Sequence, residues 1–268
     1  MPTGKVKSMV LALLLAANLA FGGLLLYRMQ QAARFEQDTL HQAIALLEEE
    51  AGLRMPQTLP AAMPLAPFVA TRSAEDDLRF MESFLGASTA EDQGGGLVRY
   101  TSAAGDGHLR RNAAFDLLYH NSIRLENERP VELAARLLAA AGIEAQMLSA
   151  APANDEPLVY QQLIDGTPIL GYHIVFTFQR GELVTVSGYY VPPHRQTQAF
   201  AVEPLDMATL LTRFYAGLRH GSYLCRELSV VSVAYQSDST GQFLPLWMLR
   251  TDTGVFYLDA MTGAMSTG

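Results

Sequence analysis

One cysteine, Cys225, stands in the whole chain, so an internal disulfide framework and a paired-cysteine metal site are both excluded. Among Tyr223, Leu224 and Leu228 it reads as a small buried hydrophobe at the start of a strand. Long basic clusters are also missing. Nineteen Lys and Arg stand against 27 Asp and Glu, a net charge of −8, which argues against nucleic acid as a partner. Catalytic signatures are absent where they are normally found. His41, His108, His120, His173, His194 and His220 form no H-E-x-x-H or H-x-x-x-H arrangement, and isolated histidines read as surface or satisfied core residues. Ser187-Gly188 lacks the preceding glycine of a nucleophile elbow. Gly105-Asp106-Gly107 is followed by Arg110 where a dinucleotide fingerprint needs glycine, and no lysine follows Gly94-Gly95-Gly96. The acidic runs Glu48-Glu49-Glu50 and Glu75-Asp76-Asp77 place neighbouring carboxylates on diverging directions of a helix, as a solvated face or a helix start does. No catalytic residue, cofactor or metal ligand is assigned.

What the chain does have is one long apolar run, Met9 to Tyr27. With Ser8 it makes a helix of about 30 Å, the thickness of a hydrocarbon core, and a membrane anchor is expected over residues 8–27. Lys5 and Lys7 precede it, whereas Arg28 and Arg34 are diluted by Glu36 and Asp38, so residues 1–7 are expected as a cytoplasmic tail and the rest outside. Ala17-Asn18-Leu19-Ala20 offers the alternative of a cleaved signal peptide. Phe21 to Tyr27 prolongs the run beyond a signal's apolar region, which favours an uncleaved anchor. Ala12, Ala16, Ala20 and Gly23 share one helical face, a contact face for another membrane helix if the stripe is more than the usual abundance of alanine in apolar spans. A disulfide-free exported region suggests the cell surface of a single-membrane, Gram-positive-type bacterium.

The remainder is long enough for one large or two small domains. Leu40, Ile44, Leu47 and Ala51 continue the anchor as an amphipathic helix that Gly52 stops. A second helix is expected over 130–141, with Pro130 in its first turn and Gly142 after it, and a third from about Pro204 with Met207, Leu210, Leu211, Phe214 and Leu218 on one face. The endings Ala51-Gly52-Leu53, Ala141-Gly142-Ile143 and Ala216-Gly217-Leu218 look alike, the first two suggesting an internal duplication. Strands are expected at 157–164, 168–178 and 182–190, joined by hairpins at Asp165-Gly166 and Arg180-Gly181, and again at 227–236, 243–250 and 255–259. Four prolines in 56–67 predict an extended, packed connector. A helix is expected from Ser73 to Gly86, then a hairpin of Leu97 to Thr101 and Leu109 to Tyr119 with Gly105-Asp106-Gly107 in its turn. A boundary near residue 125 divides an α+β subdomain, 28–125, from a C-terminal domain of two helix-on-antiparallel-sheet units, about 126–200 and 201–268.

Tyr160-Gln161-Gln162, Gly166-Thr167-Pro168-Ile169-Leu170-Gly171 and the return Gly181 to Gly188 resemble the β-meander of FTP and PepSY propeptide modules. Pro245-Leu246-Trp247, followed by Tyr257-Leu258-Asp259-Ala260-Met261-Thr262-Gly263, is similar to the end of a PepSY unit. No peptidase segment accompanies them. A short tail, one span and an extracytoplasmic α+β region of PepSY-like units together resemble the YycH/YycI family, membrane-anchored regulators of two-component sensor kinases. The resemblance implies a non-enzymatic protein that contacts a homologous partner regulator and a sensor histidine kinase. An inhibitor or chaperone of a separate secreted peptidase is the alternative from another class. A cell-wall-active enzyme with a site assembled from scattered residues is a third.

Overall fold

Between Leu24 and Glu50 the sequence holds neither glycine nor proline, so nothing breaks the helix that carries the apolar run into the folded body. That helix is α1 (Thr3–Glu50), 48 residues in one piece. The computed structural model describes residues 3–60, 62–125, 128–148, 156–200, 202–238 and 240–267. On α1 the side chains at 3–13, 16, 17, 26, 29, 30, 32, 33 and 36 are outside that description. The span expected at 8–27 falls partly there, and among the described residues no helix is long and apolar enough to cross a membrane.

In chain order there follow β1 (Phe68–Thr71), α2 (Ala74–Leu85), β2 (Ser88–Asp92), β3 (Leu97–Ser102), β4 (Gly105–Arg110) and β5 (Ala114–Arg124). Next come α3 (Pro130–Ala140), β6 (Ala145–Met147), β7 (Leu158–Ile164), β8 (Thr167–Gln179), β9 (Glu182–Tyr189) and β10 (His194–Thr197). The chain ends with α4 (Met207–Gly221), β11 (Leu228–Ser237), β12 (Gln242–Thr251), β13 (Gly254–Asp259) and β14 (Met265–Thr267). The fold is mixed α+β, and the described strands join in one branched 14-stranded sheet.

Two of three apolar clusters define two lobes, and the third, of Phe68, Ile164, Ile169, Tyr235 and Phe243, lies where they meet. In the first, α2 and α3 cover β3, β4, β5, β7, β8 and β9 through Phe80, Met81, Leu133, Leu137, Phe115 and Phe176. Residues on both sides of the boundary expected near 125 share this core, because β5 pairs antiparallel with β9. In the second, the end of α1 and α4 cover β11, β12 and β13 through Leu47, Leu210, Phe214, Trp247 and Leu258. The lobes meet where β11 runs parallel to β8 for a short stretch, Tyr235 beside Ile169.

Each expected meander forms. β7, β8 and β9 pair antiparallel in sequence, as do β11, β12 and β13. Asp165 (φ 49°) with Gly166 (φ 76°), and Arg180 (φ 54°) with Gly181 (φ 74°), make tight turns whose two left-handed residues match the twist of the strands. At the end of α1, the amide of Leu53 reaches back to the Leu47 carbonyl (3.1 Å) around Gly52, and Gly142 follows α3 at φ 66°.

Two glycine expectations are corrected. Gly217 does not end α4, which continues to Gly221 and is capped by left-handed Ser222. A Cβ on Gly217 would lie 2.8 Å from the Met265 side chain, so glycine there lets β14 approach the helix. Gly105-Asp106-Gly107 is likewise not a turn but the start of β4. A Cβ on Gly105 would meet the Leu118 carbonyl at 2.3 Å, and one on Gly107 the Leu117 and Met81 side chains at 2.5 Å.

Candidate functional site

Among the described residues the chain passes between the lobes at Arg72-Ser73 and at the strap Tyr190-Val191-Pro192-Pro193, and a cluster of charged groups converges there. Ser73 caps α2, its hydroxyl accepting the Asp76 amide at 3.1 Å, which places Asp76 and Asp77 in the first turn. Both carboxylates are buried. Buried carboxylates need partners, and Arg72 supplies one. Its Nε and Nη2 donate to the two oxygens of Asp77 at 3.1 and 2.7 Å, while Nη1 donates to the carbonyls of Arg110 (2.6 Å) and Arg111 (3.0 Å). One planar guanidinium therefore ties β1, α2 and the β4–β5 turn together.

From the other side, β10 pairs with β1 so that His194 lies opposite Thr71. That register brings His194 Nε2 to 3.2 Å from the Asp76 carboxylate. The phenols of Tyr100 and Tyr190 are pushed above the ordinary tyrosine value, first by burial and then by the Asp77 charge, so both stay protonated in neutral solution. Among the described residues no serine, threonine or cysteine is hydrogen-bonded to the His194 ring, so His194 and Asp76 lack the third member of a nucleophilic triad. What the bonds do is clamp β1, β10, α2 and the β4–β5 turn to one another.

Tyr190 and Pro192 divide two cavities. One, of about 510 Å³, is bordered by Asp76, Arg79, Glu144, Asp165 and Arg195. The other, of about 680 Å³, is a groove with an aromatic wall. Tyr172 lies 5.4 Å from both Tyr189 and Phe243, centroid to centroid, and Phe243 is stacked on Phe68 at 4.6 Å.

Of the face expected to contact another membrane helix, Ala20 and Gly23 are exposed, and the side chains of Ala12 and Ala16 lie outside the described residues. Among the described residues no group of three or more His, Cys, Asp and Glu is arranged to hold a metal ion. Four histidines have partners: His108 with Asp116, His120 with Asp106, His173 with Gln161, and His194 with Asp76. Cys225 is half-buried rather than buried. It precedes β11, and its Sγ lies 3.0 Å from the Thr253 hydroxyl.

Sequence reasoning missed the clamp and both cavities. Asp76 and Asp77 were legible only as helix-start charges, and Arg72 carried no signal of its own. The doublets Tyr189-Tyr190 and Pro192-Pro193 were the available hint to the strap. No family model matches the chain, and no curated protein matches it. Among solved structures, the C-terminal domain of Bacillus megaterium YpeB is similar over 74% of this chain and 98% of that domain, with 10% identity and a TM-score of 0.40, too loose a likeness to carry a functional conclusion.

Proposed function

We propose that this chain is a non-catalytic, membrane-anchored regulator whose folded lobes stand outside the cytoplasm and bind a membrane partner. A sensor histidine kinase, with a homologous partner regulator, is the partner its sequence resemblance implies, in a Gram-positive-type bacterium. The observation that carries the proposal is α1. Its C-terminal end is locked in the second core, with Leu47 fully buried, while Leu14, Leu15, Leu19, Phe21, Leu24, Leu25 and Tyr27 on the same helix are exposed. Those positions point around the whole circumference, so no one partner helix covers them all, whereas a lipid bilayer does. A helix running without a break from that segment into a core passes its orientation to the lobes, which suits regulation within a shared bilayer.

The experiment compares three forms in cells: the full chain, a fragment starting at residue 36, and the full chain with residues 8–27 replaced by an unrelated span. Membrane fractionation and the output of the sensor kinase are read for each. Membrane retention of the first and third forms, and loss of regulation by the released fragment, are expected. Full regulation by the released fragment would refute the proposal. A fragment that instead inhibits a secreted peptidase would replace it with the inhibitor alternative, and hydrolysis of wall or peptide substrates would replace it with an enzyme.

A further inference from the structure

We propose that the 680 Å³ groove between the lobes docks a proline-containing, acidic segment of the partner protein. The inference rests on the regulatory proposal only in taking the partner to be a protein. The aromatic wall carries it first. Tyr172 is tilted against both Tyr189 and Phe243 at 5.4 Å, and Phe243 is held from behind by its stack on Phe68. Tyr189 is 38% exposed and Phe243 2%, so the wall has a fixed base and an accessible edge. Fixed aromatic faces of this kind accept the rigid pyrrolidine ring, and a polyproline II segment arrives with little conformational entropy left to lose. The protein already seats a proline here: Pro192 is buried and lines the same groove.

Backbone topology separates this ligand from an added β-strand. β1, which contributes Ala70 to the groove, is paired with β10 along its whole length and with β12 at Phe68 and Val69, so only Ala70 and Thr71 are left unpaired on the β12 side, too short a stretch to template a strand. A polyproline II segment needs no edge, because its backbone is not hydrogen-bonded to a neighbouring strand. Its carbonyls need donors. Among the described residues the hydroxyls of Tyr172 and Tyr189 have no hydrogen-bond partner and can supply them.

Charge selects the acidic residue. On the rim, Asp238 is already satisfied by the amides of Thr240 (2.8 Å) and Gln242 (2.9 Å) and by the Thr240 hydroxyl (2.7 Å). Arg72 is neutralised by Asp77. Arg111, exposed and also lining the groove, has neither an ion pair nor a side-chain hydrogen bond among the described residues. It gives the groove one uncompensated positive group for a ligand carboxylate, while Asp238 stays ionised and turned to its own amides, on a chain of net charge −8.

The test uses the full chain in lipid nanodiscs and a fluorescein-labelled peptide of three Glu-Pro-Pro repeats, read by anisotropy. Controls replace every Glu by Lys or every Pro by Ala, and chitotetraose is offered as a competing saccharide. Saturable binding of the parent peptide is expected, weakened about tenfold or more by Tyr189→Ala and by Arg111→Ala. Arg111→Ala also flattens the salt dependence. Tyr189→Phe, which keeps the ring and loses only the hydroxyl donor, weakens binding less than Tyr189→Ala, and melting curves of all variants overlay the wild type. Absence of saturable binding, equal binding of either control peptide, indifference to both Ala variants, or displacement by chitotetraose overturns the proposal. A null result here with anchor-dependent regulation intact overturns the groove alone, whereas peptide binding without anchor dependence overturns the regulatory proposal alone.

Discussion

Trp247→Ala should collapse the second lobe while leaving much of the first intact. Trp247 is the chain's only tryptophan and is fully buried. It sits in the middle of β12 between Val233 of β11 and Leu258 of β13, within the core that α1 and α4 close. A buried indole removes about 200 Å² from water, worth about 5 kcal/mol as an upper bound at about 25 cal/mol per Å². Mutational series place such truncations at about 3–5 kcal/mol. At about 2–4 °C per kcal/mol, a loss of about 4 kcal/mol lowers the melting temperature by about 8–16 °C. The indole N–H has no partner among the described residues, so Trp247→Phe removes an unpaired donor along with some volume and costs about 1–2 kcal/mol. Far-UV circular dichroism of the full chain in nanodiscs gives the melts, and hydrogen exchange locates the damage. Protection should fall in residues 40–53 and 207–259 and persist in β3 to β5. Melting of Trp247→Ala within about 2 °C of wild type would falsify the core assignment, and equal costs for Ala and Phe would refute the role given to the unpaired N–H.

Arg72→Ala leaves the mostly buried Asp77 without its guanidinium and should cost about 2–3 kcal/mol, with Arg72→Lys rescuing little because it lacks the fork; urea midpoints decide it. Gly188→Ala should cost about 2 kcal/mol, since its Cβ would lie 2.2 Å from the His173 carbonyl, and an unchanged urea midpoint would contradict the close packing of β8 on β9. Asp106 is held below its ordinary value of 3.8, chiefly by its hydrogen bond to His120 and further by Thr101 and Arg99. Its contribution is therefore complete above that ordinary value and is lost as the pH falls through the lower folded one. Acid unfolding curves of wild type and Asp106→Asn should converge as the pH falls below that ordinary value, and a constant gap along the whole acid limb would count against the assignment.

How far the sequence reached depends on the range of the interactions that shape each element. The strands of 157–190 and 227–259 were legible almost to the residue, because alternation and left-handed turn pairs such as Asp165-Gly166 are local. α2 was legible from Ser73 to Gly86 for the same reason, its cap and its stop being single residues. β1 was not foreseen. It has four residues, and its neighbours are residues 194–197 and 242–243, so its stability comes from pairing that no short window contains. Gly105 and Gly107 were misread because glycine serves both a turn and a close approach, and only the positions of Leu118 and Met81 tell the two apart. The clamp was hidden in the same way. Asp76 and Asp77 suit a helix start without any arginine, and Arg72 acquires its role only when the β4–β5 turn places two carbonyls at its Nη1. Because every bond of that clamp crosses an element boundary, it belongs to the junction of the lobes and to neither lobe alone. Arg72 therefore holds the end of β1 against α2 and the β4–β5 turn at the edge of the groove it lines.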